Sequence, residues 1–160
     1  MMDFFKENPN YQRGRVIDCG AGIGRISKEL LCQVFKTVDV IDQCEKYIDK
    51  AKDILKDKKI GHFYAKGLQE FEFEEKYDCI WIQWVFSQLT DEDGIAFLKK
   101  CKVALNEGGI IVMKENHNTS GFLVDKADFS VTRSYLLFKE LFEKAGLEIV
   151  KNELQLNWPA

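Results

Sequence analysis

Apolar residues in this chain follow two spacing patterns, which alternate along the sequence. Short continuous apolar runs predict β-strands covered on both faces, and strict alternation at 147–154 predicts one more strand. Apolar residues spaced three or four apart predict amphipathic helices with one face on a sheet. The predicted strands lie at 16–17, 37–41, 62–65, 77–85, 110–113 and 147–154, and the predicted helices at 26–34, 47–55, 95–105 and 137–142.

Strands that alternate with helices are typical of a parallel sheet built from βαβ units. We therefore predict an α/β fold, a doubly wound and mostly parallel sheet with helices on both faces, in a single domain spanning 1–160. Thr90, with Asp93 three residues later, predicts a capped start for the third helix. The stretch from 114 to about 130 shows neither pattern, and we interpret it as a long loop.

The connection after the first strand contains glycine at positions 20, 22 and 24. Glycine lacks a Cβ, so its backbone adopts positive φ and approaches a bound molecule closely, while free N–H groups of the next helix attract negative charge. The pattern indicates a ligand site, with a tight turn that binds nothing as the alternative. Ligands of such sheets bind beyond the carboxyl ends of the strands. The same ends carry Asp42, 67–69, Gln83, Trp84, Glu115 and Asn116.

Composition and charge argue against several classes of protein. The 23 basic and 26 acidic residues are spread along the chain, and a net charge of −3 argues against a nucleic-acid partner. No apolar run approaches the roughly 20 residues that span a bilayer, and the N-terminus lacks signal-peptide features. We therefore expect a soluble protein, away from membranes, in the cytoplasm or nucleus. The five cysteines lack zinc-site spacing, so we predict reduced core thiols and no metal site.

The spacing of the glycines bears on the identity of the ligand. A nicotinamide dinucleotide site uses G-x-G-x-x-G, whereas this chain has G-x-G-x-G preceded by Asp18. A carboxylate there would repel a pyrophosphate but suits a ligand with an ammonium group, such as S-adenosylmethionine. Arg25 would then bind the carboxylate of that ligand. Asp42 fits ribose hydroxyls in both cases, and helix capping is the alternative for both aspartates.

Longer segments make the comparison more specific. They are Asp-Cys-Gly-Ala-Gly-Ile-Gly-Arg at 18–25, Gly-Leu-Gln at 67–69, Ile-Trp-Ile-Gln-Trp-Val at 80–85, Leu-Thr-Asp at 89–91 and Gly-Ile-Ile-Val-Met-Lys-Glu-Asn at 109–116, followed by Asp125, Asp128, Ser130, Val131 and Arg133. Together they resemble the class I S-adenosylmethionine-dependent methyltransferases, a Rossmann-like fold. Within that class they resemble the protein N-terminal methyltransferases that act on Xaa-Pro-Lys, from about residue 4 to residue 159.

The resemblance implies a cofactor site for S-adenosylmethionine, with S-adenosylhomocysteine as the product. Gly20 and Arg25 would lie at the methionine carboxylate, Asp42 at the ribose and Gln83 at the methionine. Leu68 and Gln69 would lie at the adenine. The full cofactor-binding set is Asp18, Gly20, Gly22, Arg25, Asp42, Gly67, Leu68, Gln69 and Gln83.

The resemblance also implies a substrate site for a protein or peptide with a free N-terminus. Trp84 would pack against the proline of the substrate, and Asn116 would bond its α-amino end. Asp125 and Asp128 would receive the cationic third residue and the amine. We predict Asp128 and Asn116 as the catalytic pair, with Asp128 as general base and Asn116 directing the amine.

The chain departs from the family in two respects. Gln88 stands where the family has a histidine, and glutamine can orient an amine but cannot take its proton. The chain also lacks the N-terminal helical lid and the last strand of the family, so we expect a domain truncated at both ends with an exposed edge on its fifth strand. We expect a monomer, with self-association through that edge as the alternative.

The leading prediction is therefore an enzyme, an S-adenosylmethionine-dependent methyltransferase of protein N-termini. A class I methyltransferase of a small molecule is one alternative. A cofactor-binding protein without activity is another, suggested by Gln88 and the short ends.

Overall fold

Five parallel strands form the central sheet of the computed structural model, which describes residues 4–5, 8–56 and 58–155. They are β1 (Arg15–Cys19), β2 (Thr37–Asp42), β3 (Ile60–Ala65), β4 (Tyr77–Gln83) and β5 (Leu105–Lys114). Their order is β3-β2-β1-β4-β5, with every neighbouring pair parallel. The chain runs outward from β1 to β3 and then returns to the other side of β1. The switch point of the sheet therefore lies between β1 and β4.

Helices cover both faces of this sheet. They are α1, which joins a π-helical part Ser27–Leu31 to an α-helical end Cys32–Val34, α2 (Glu45–Leu55), α3 (Asp91–Ala104) and α4 (Tyr135–Lys144). Successive strand residues point to opposite faces: Val16 packs in one core cluster with Leu31, and Ile17 packs in the other with Leu98. These two layers confirm the predicted doubly wound α/β fold.

The cap predicted for the third helix is present at the start of α3. The Thr90 hydroxyl accepts a hydrogen bond from the Asp93 backbone N–H at 3.1 Å. Without a threonine, serine, aspartate or asparagine at this position, that N–H would have no partner within the helix. Thr90 and Asp93 therefore fix where α3, the helix that follows β4 in the chain, begins.

The predicted loop at 114–130 was wrong in part, because it contains an antiparallel hairpin. β6 (Phe122–Asp125) pairs with β7 (Ser130–Arg133), with Phe122 opposite Arg133 and Asp125 opposite Ser130. All four residues of β6 are exposed, so burial imposes no alternation of apolar and polar side chains on it. Backbone pairing defines this hairpin, and backbone pairing leaves little trace in an apolar pattern.

The predicted sixth strand at 147–154 was wrong, since these residues form no strand. A strand requires a neighbour for its backbone N–H and C=O groups, and no described strand of the sheet pairs with this segment. Val150 is 74% exposed and Leu154 is 63% exposed. Alternation of apolar side chains predicted a buried face that the segment does not have.

A buried carboxylate joins three strands near the amino ends of the sheet. Asp39 of β2 is fully buried and accepts hydrogen bonds from Arg15 Nε of β1 and from the Tyr77 hydroxyl of β4, both at 2.8 Å. Burial and this hydrogen bond raise the pKa of Tyr77 above its usual range. The cluster is structural, because it lies at the end of the sheet opposite to the glycine turn.

A second buried carboxylate, Asp18, joins β1 to α1 beneath the glycine turn. Its side chain is only 2% exposed, and its Oδ2 accepts a hydrogen bond from the buried Ser27 hydroxyl at 2.6 Å. Burial raises the pKa of Asp18 to about 6, although the hydrogen bonds from Ser27 act in the opposite direction. Burial disfavours the charged form more than one hydroxyl can compensate.

The raised pKa of Asp18 predicts a loss of stability as the pH rises. The folded protein keeps the Asp18 proton at pH values where the unfolded chain has released it, so the stability falls from about pH 4 to about pH 6 and is then constant. We expect Asp18→Asn to remove this fall. The free energy of unfolding of the variant, compared with that of wild type, should therefore rise by on the order of 2 kcal/mol between about pH 4 and pH 7.

Urea unfolding followed by circular dichroism across this pH range measures the difference. Ser27→Ala is the matched variant, since it removes the opposing hydrogen bond and should extend the fall to higher pH. An Asp18→Asn difference that is the same at both ends of the range would contradict the assignment.

Candidate active site

The glycine turn lies at the carboxyl end of β1, beside the switch point. Gly20, Gly22 and Gly24 have φ values of 72°, 58° and 82°, in the left-handed region that favours glycine. The N–H groups of Gly20 and Ala21 donate to the Ile41 carbonyl at 2.9 and 3.0 Å. The turn is thereby fixed to the end of β2 as well as to the end of β1.

The space around each glycine differs, and the difference locates the open side of the turn. A Cβ on Gly20 would lie 2.5 Å from Cβ of Val85, and one on Gly24 would lie 2.7 Å from Cδ1 of Leu55. A Cβ on Gly22 would meet no atom within 4 Å. Gly20 and Gly24 therefore permit close packing inside the protein, whereas Gly22 faces open space that a ligand can enter.

Asp42, at the end of β2, links the glycine turn to α2. Its Oδ2 accepts from the Gly22 N–H at 2.8 Å and its Oδ1 accepts from the Cys44 N–H at 2.9 Å, one residue before the helix. The N-cap of α2 is Cys44, whose side chain makes no capping bond, so Asp42 fixes the turn before the helix and is not its cap. The side chain is half-buried at the open side of the turn, and Arg25 is exposed on the same turn. This arrangement fits a cofactor that offers hydroxyl groups and a carboxylate.

The end of β3 leads into the segment 67–69 at the far side of this edge. The Lys66 N–H donates to the Asp42 carbonyl at 3.1 Å. Leu68 is 5% exposed and packs in the core, whereas Gln69 is exposed and its carbonyl accepts from Lys100 Nζ at 3.0 Å. Gln69 therefore presents an accessible side chain there and Gly67 is half-buried, whereas Leu68 is almost fully covered by protein.

The end of β4 presents an aromatic side chain beside the glycine turn. Trp84 is 40% exposed and has a φ of 54°, which is unusual for a residue other than glycine. Lys114 Nζ lies 5.2 Å from the centre of its ring. Gln83 is half-buried and accepts a hydrogen bond from Trp81 Nε1 at 3.2 Å, and Trp81 is 1% exposed, as the apolar run predicted.

Glu115 is a site residue that sequence reasoning did not assign. Its Oε1 accepts from the backbone N–H groups of Val85 and Phe86 at 2.8 and 2.7 Å. Burial raises the pKa of Glu115, although these hydrogen bonds lower it. The available signal was a carboxylate directly after an apolar strand, next to Asn116. Nothing in the spacing indicates that its partners are backbone groups 30 residues earlier.

The carboxylates predicted to bind substrate lie at the tip of the β6–β7 hairpin and are exposed. Asp125 Oδ1 accepts from the Ala127 N–H at 2.8 Å, and Asp128 Oδ1 accepts from the Ser130 N–H at 2.9 Å. Hydrogen bonding to Ser130 lowers the pKa of Asp128. A carboxyl with a lowered pKa is a weaker proton acceptor, and it stays charged at neutral pH.

Asn116 and Gln88 are both exposed near these elements. Asn116 follows Glu115 directly after β5. Gln88 ends a single 3-10 turn, Phe86–Gln88, and its N–H donates to the Val85 carbonyl at 3.1 Å. Their side chains are therefore open to a ligand, as the substrate-binding prediction requires.

Metal-binding clusters and membrane-spanning helices were both sought in the structure. Across the described ranges, three or more histidine, cysteine or acidic side chains nowhere gather in a way that could bind a metal ion. Of the helices in the described part of the chain, none has the length and apolar character needed to cross a membrane.

Comparisons with known proteins identify the family of this chain. The family model for AdoMet dependent proline di-methyltransferases matches residues 2–160. An alpha N-terminal protein methyltransferase 1 of Dictyostelium discoideum is 45% identical, over 99% of this chain and 61% of that protein. An N-terminal Xaa-Pro-Lys N-methyltransferase 1-B of Xenopus laevis is 46% identical, over 89% of this chain and 66% of that protein.

A solved structure gives the same result. A SAM-dependent methyltransferase from Leishmania major is 39% identical and superposes with a TM-score of 0.93, over 98% of this chain and 64% of that one. The chain spans less than two thirds of the length of each of these three relatives. On sequence and fold together, the chain belongs to the AdoMet-dependent proline dimethyltransferase family, whose cofactor is S-adenosylmethionine.

Proposed function

We propose that this chain forms the cofactor site and part of the peptide site of an enzyme that methylates the α-amino group of proteins beginning Xaa-Pro-Lys. One observation carries the proposal: Gly20 and Val85 are so close that a single methyl group would not fit between them. The glycine turn and exposed Trp84 are consequently adjacent. A methyl donor in the turn and a peptide against Trp84 would therefore meet.

The cofactor residues act by binding and orientation. S-adenosylmethionine supplies a methyl group on a positively charged sulfur, and the reaction is an in-line displacement that depends on alignment. We assign Gly20, Gly22 and Arg25 to the methionine carboxylate region and Asp42 to the ribose. Gly67, Leu68 and Gln69 are assigned to the adenine. Gln83 is assigned to the methionine, and Asp18 supports the turn from below.

The substrate residues fit a peptide with a proline and a cationic side chain. The exposed face of Trp84 suits the flat, apolar ring of proline, and the Asn116 amide can bond the α-amino group. Asp125 and Asp128 carry negative charge that attracts a lysine at the third position. The names of the Xenopus relatives state an Xaa-Pro-Lys substrate for those proteins.

Removal of the substrate proton requires little help from the protein. An N-terminal amine has a pKa of about 8, so a useful fraction is neutral at physiological pH. The lowered pKa of Asp128 makes it a weak proton acceptor, and Gln88 cannot accept a proton at all. We therefore propose that Asp128 acts through its charge, and that water takes the proton.

The five cysteines are all free, and free buried thiols are typical of reducing compartments. This supports a location in the cytoplasm or nucleus, where protein N-termini with a proline in the second position become available as substrates.

Methylation of peptides tests the proposal directly. With labelled S-adenosylmethionine, we expect transfer to a peptide beginning Ser-Pro-Lys and none to one beginning Ala-Gln-Lys. Trp84→Ala should raise KM for the first peptide by roughly tenfold, while Trp84→Phe retains most of the contact. Transfer to neither peptide, with S-adenosylhomocysteine still bound, would support a binding protein without activity. Transfer only to a small molecule would support the other alternative.

A charge-removing variant separates the two roles considered for Asp128. We expect Asp128→Asn to raise KM for Ser-Pro-Lys and to leave kcat at saturating peptide unchanged, because the carboxylate binds the lysine. A peptide with glutamine in the third position is the control, since its KM should not respond. A loss of kcat that persists at saturating peptide would instead assign Asp128 as the base.

The two faces of the glycine turn predict different effects of an added methyl group. Gly22→Ala should destabilise the protein by only about 1 kcal/mol, the cost of a left-handed alanine, yet weaken S-adenosylhomocysteine binding more than about tenfold. Gly20→Ala should lower both the stability and the S-adenosylhomocysteine affinity strongly, because its Cβ would clash with Val85. Calorimetric titration and thermal unfolding measure the two quantities. Wild-type affinity in Gly22→Ala would show that the cofactor does not pass this residue.

A further inference from the structure

The turn that carries Trp84 is bound by opposite charges on its two sides. This segment, residues 84–89 and here called the tryptophan turn, connects β4 to the capped start of α3. A carboxylate at the end of β5 contacts its first half, and a guanidinium at the end of β7 contacts its second half. Neither charged residue belongs to the predicted set of binding residues.

Three successive N–H groups of the tryptophan turn donate to the end of β5. The Trp84 N–H donates to the Lys114 carbonyl at 3.1 Å, and the next two donate to Glu115 Oε1 at 2.8 and 2.7 Å. A residue such as tryptophan keeps a left-handed conformation only where its surroundings determine it. Glu115 fixes the backbone directly after Trp84, because its carboxylate accepts from the next two N–H groups.

Arg133 contacts the other half of the same turn. It is 1% exposed, and its Nη2 donates to the Leu89 carbonyl at 2.7 Å while its Nε donates to Asp91 Oδ1 at 2.7 Å. Its guanidinium carbon lies 5.7 Å from the centre of the buried Phe86 ring. A planar guanidinium carries its donors on separate nitrogen atoms, so Arg133 reaches Leu89 with one and Asp91 with another.

Arg133 also belongs to the hairpin with the two exposed aspartates. It is the last residue of β7 and pairs with Phe122, while its carbonyl accepts from the Asn118 N–H at 3.0 Å. The same residue therefore joins the base of the hairpin to the tryptophan turn. A shift of one element relative to the other would break buried, charge-assisted hydrogen bonds.

We propose that Glu115 and Arg133 are positioning residues, which fix the tryptophan turn and the hairpin in one arrangement so that Trp84 and the hairpin carboxylates contact the same peptide. The proposal rests on the proposed function for the identity of that peptide. The arrangement itself rests on the hydrogen bonds above. Glu115 and Arg133 touch backbone and protein side chains, so their effect on catalysis passes through Trp84 and the hairpin.

The direct test observes Trp84 in the protein itself. The chain has three tryptophans, so 5-fluorotryptophan labelling gives three ¹⁹F signals, and Trp84→Phe and Trp158→Phe together assign all of them. We expect Glu115→Ala and Arg133→Met to shift or broaden the Trp84 signal and to leave that of buried Trp81 in place. Glu115→Gln, which keeps an acceptor oxygen, should restore the signal, and Arg133→Lys should restore it only in part.

Enzyme kinetics should show a larger effect on peptide binding than on cofactor binding. Glu115→Ala leaves two backbone N–H groups without their acceptor, so KM for the Ser-Pro-Lys peptide should rise about tenfold. One of these groups belongs to Val85, which packs on Gly20, so we expect a smaller loss of S-adenosylhomocysteine affinity alongside it. Arg15→Met is the matched control, because Arg15 also binds a carboxylate but at the opposite end of the sheet. It should lower stability without moving the Trp84 signal.

The outcomes separate this proposal from the proposed function. An unmoved Trp84 signal in both Glu115→Ala and Arg133→Met would overturn the positioning role, whatever the peptide kinetics are. If wild type methylates no peptide, the proposed function fails, but the ¹⁹F signals still decide the positioning role. If either truncation prevents folding, Glu115→Gln and Arg133→Lys provide the comparison, and identical signals in wild type and Arg133→Lys would contradict the need for a guanidinium.

Discussion

The contact between Gly20 and Val85 is the constraint on which the site depends. The turn after β1 and the turn after β4 flank the switch point of the sheet, and they approach so closely that no side chain fits at position 20. Gly20 also has a positive φ, and its N–H donates to the Ile41 carbonyl of β2 on the other side of β1. Cofactor residues and Trp84 are thus neighbours because of backbone packing.

Charge is arranged around that contact in two layers. Asp18 lies below the turn, bonded to Ser27 and excluded from water, whereas Asp42 lies beside the turn and bonds its backbone. The outer aspartates of the hairpin are exposed and bind groups of their own turn. Buried Asp18 and half-buried Asp42 therefore shape the cofactor side, and the exposed carboxylates remain available for a cationic partner.

The fold was largely predictable because apolar burial governs it. Strands β2 and β4, predicted at 37–41 and 77–85, are covered on both faces over Thr37–Asp42 and Tyr77–Gln83, and the Thr90 cap is a local signal. The hairpin and the segment at 147–154 were mispredicted for one reason: whether a strand forms depends on a partner for its backbone. Side-chain patterns report burial and contain little information about that partner.

The candidate site was predictable where backbone conformation demands a residue type, as at Gly20, and where motifs supply residues one by one. Glu115 and Arg133 escaped prediction as site residues because their bonds to the tryptophan turn are made to N–H and carbonyl groups, which almost every residue possesses. The role of Asp128 as a base was predicted from the family resemblance and from its carboxylate. Its hydrogen bonding to Ser130, two residues later, weakens it as a base and depends on the conformation of the turn between β6 and β7.

The left-handed backbone of Trp84 has a consequence for how this position can vary. Glycine would adopt that conformation without steric strain, yet it would remove the aromatic surface. Stability and activity thus favour different residues at one position. Selection for thermal stability alone would tend to replace Trp84, and its retention in a stabilised variant would be evidence that the surface is in use.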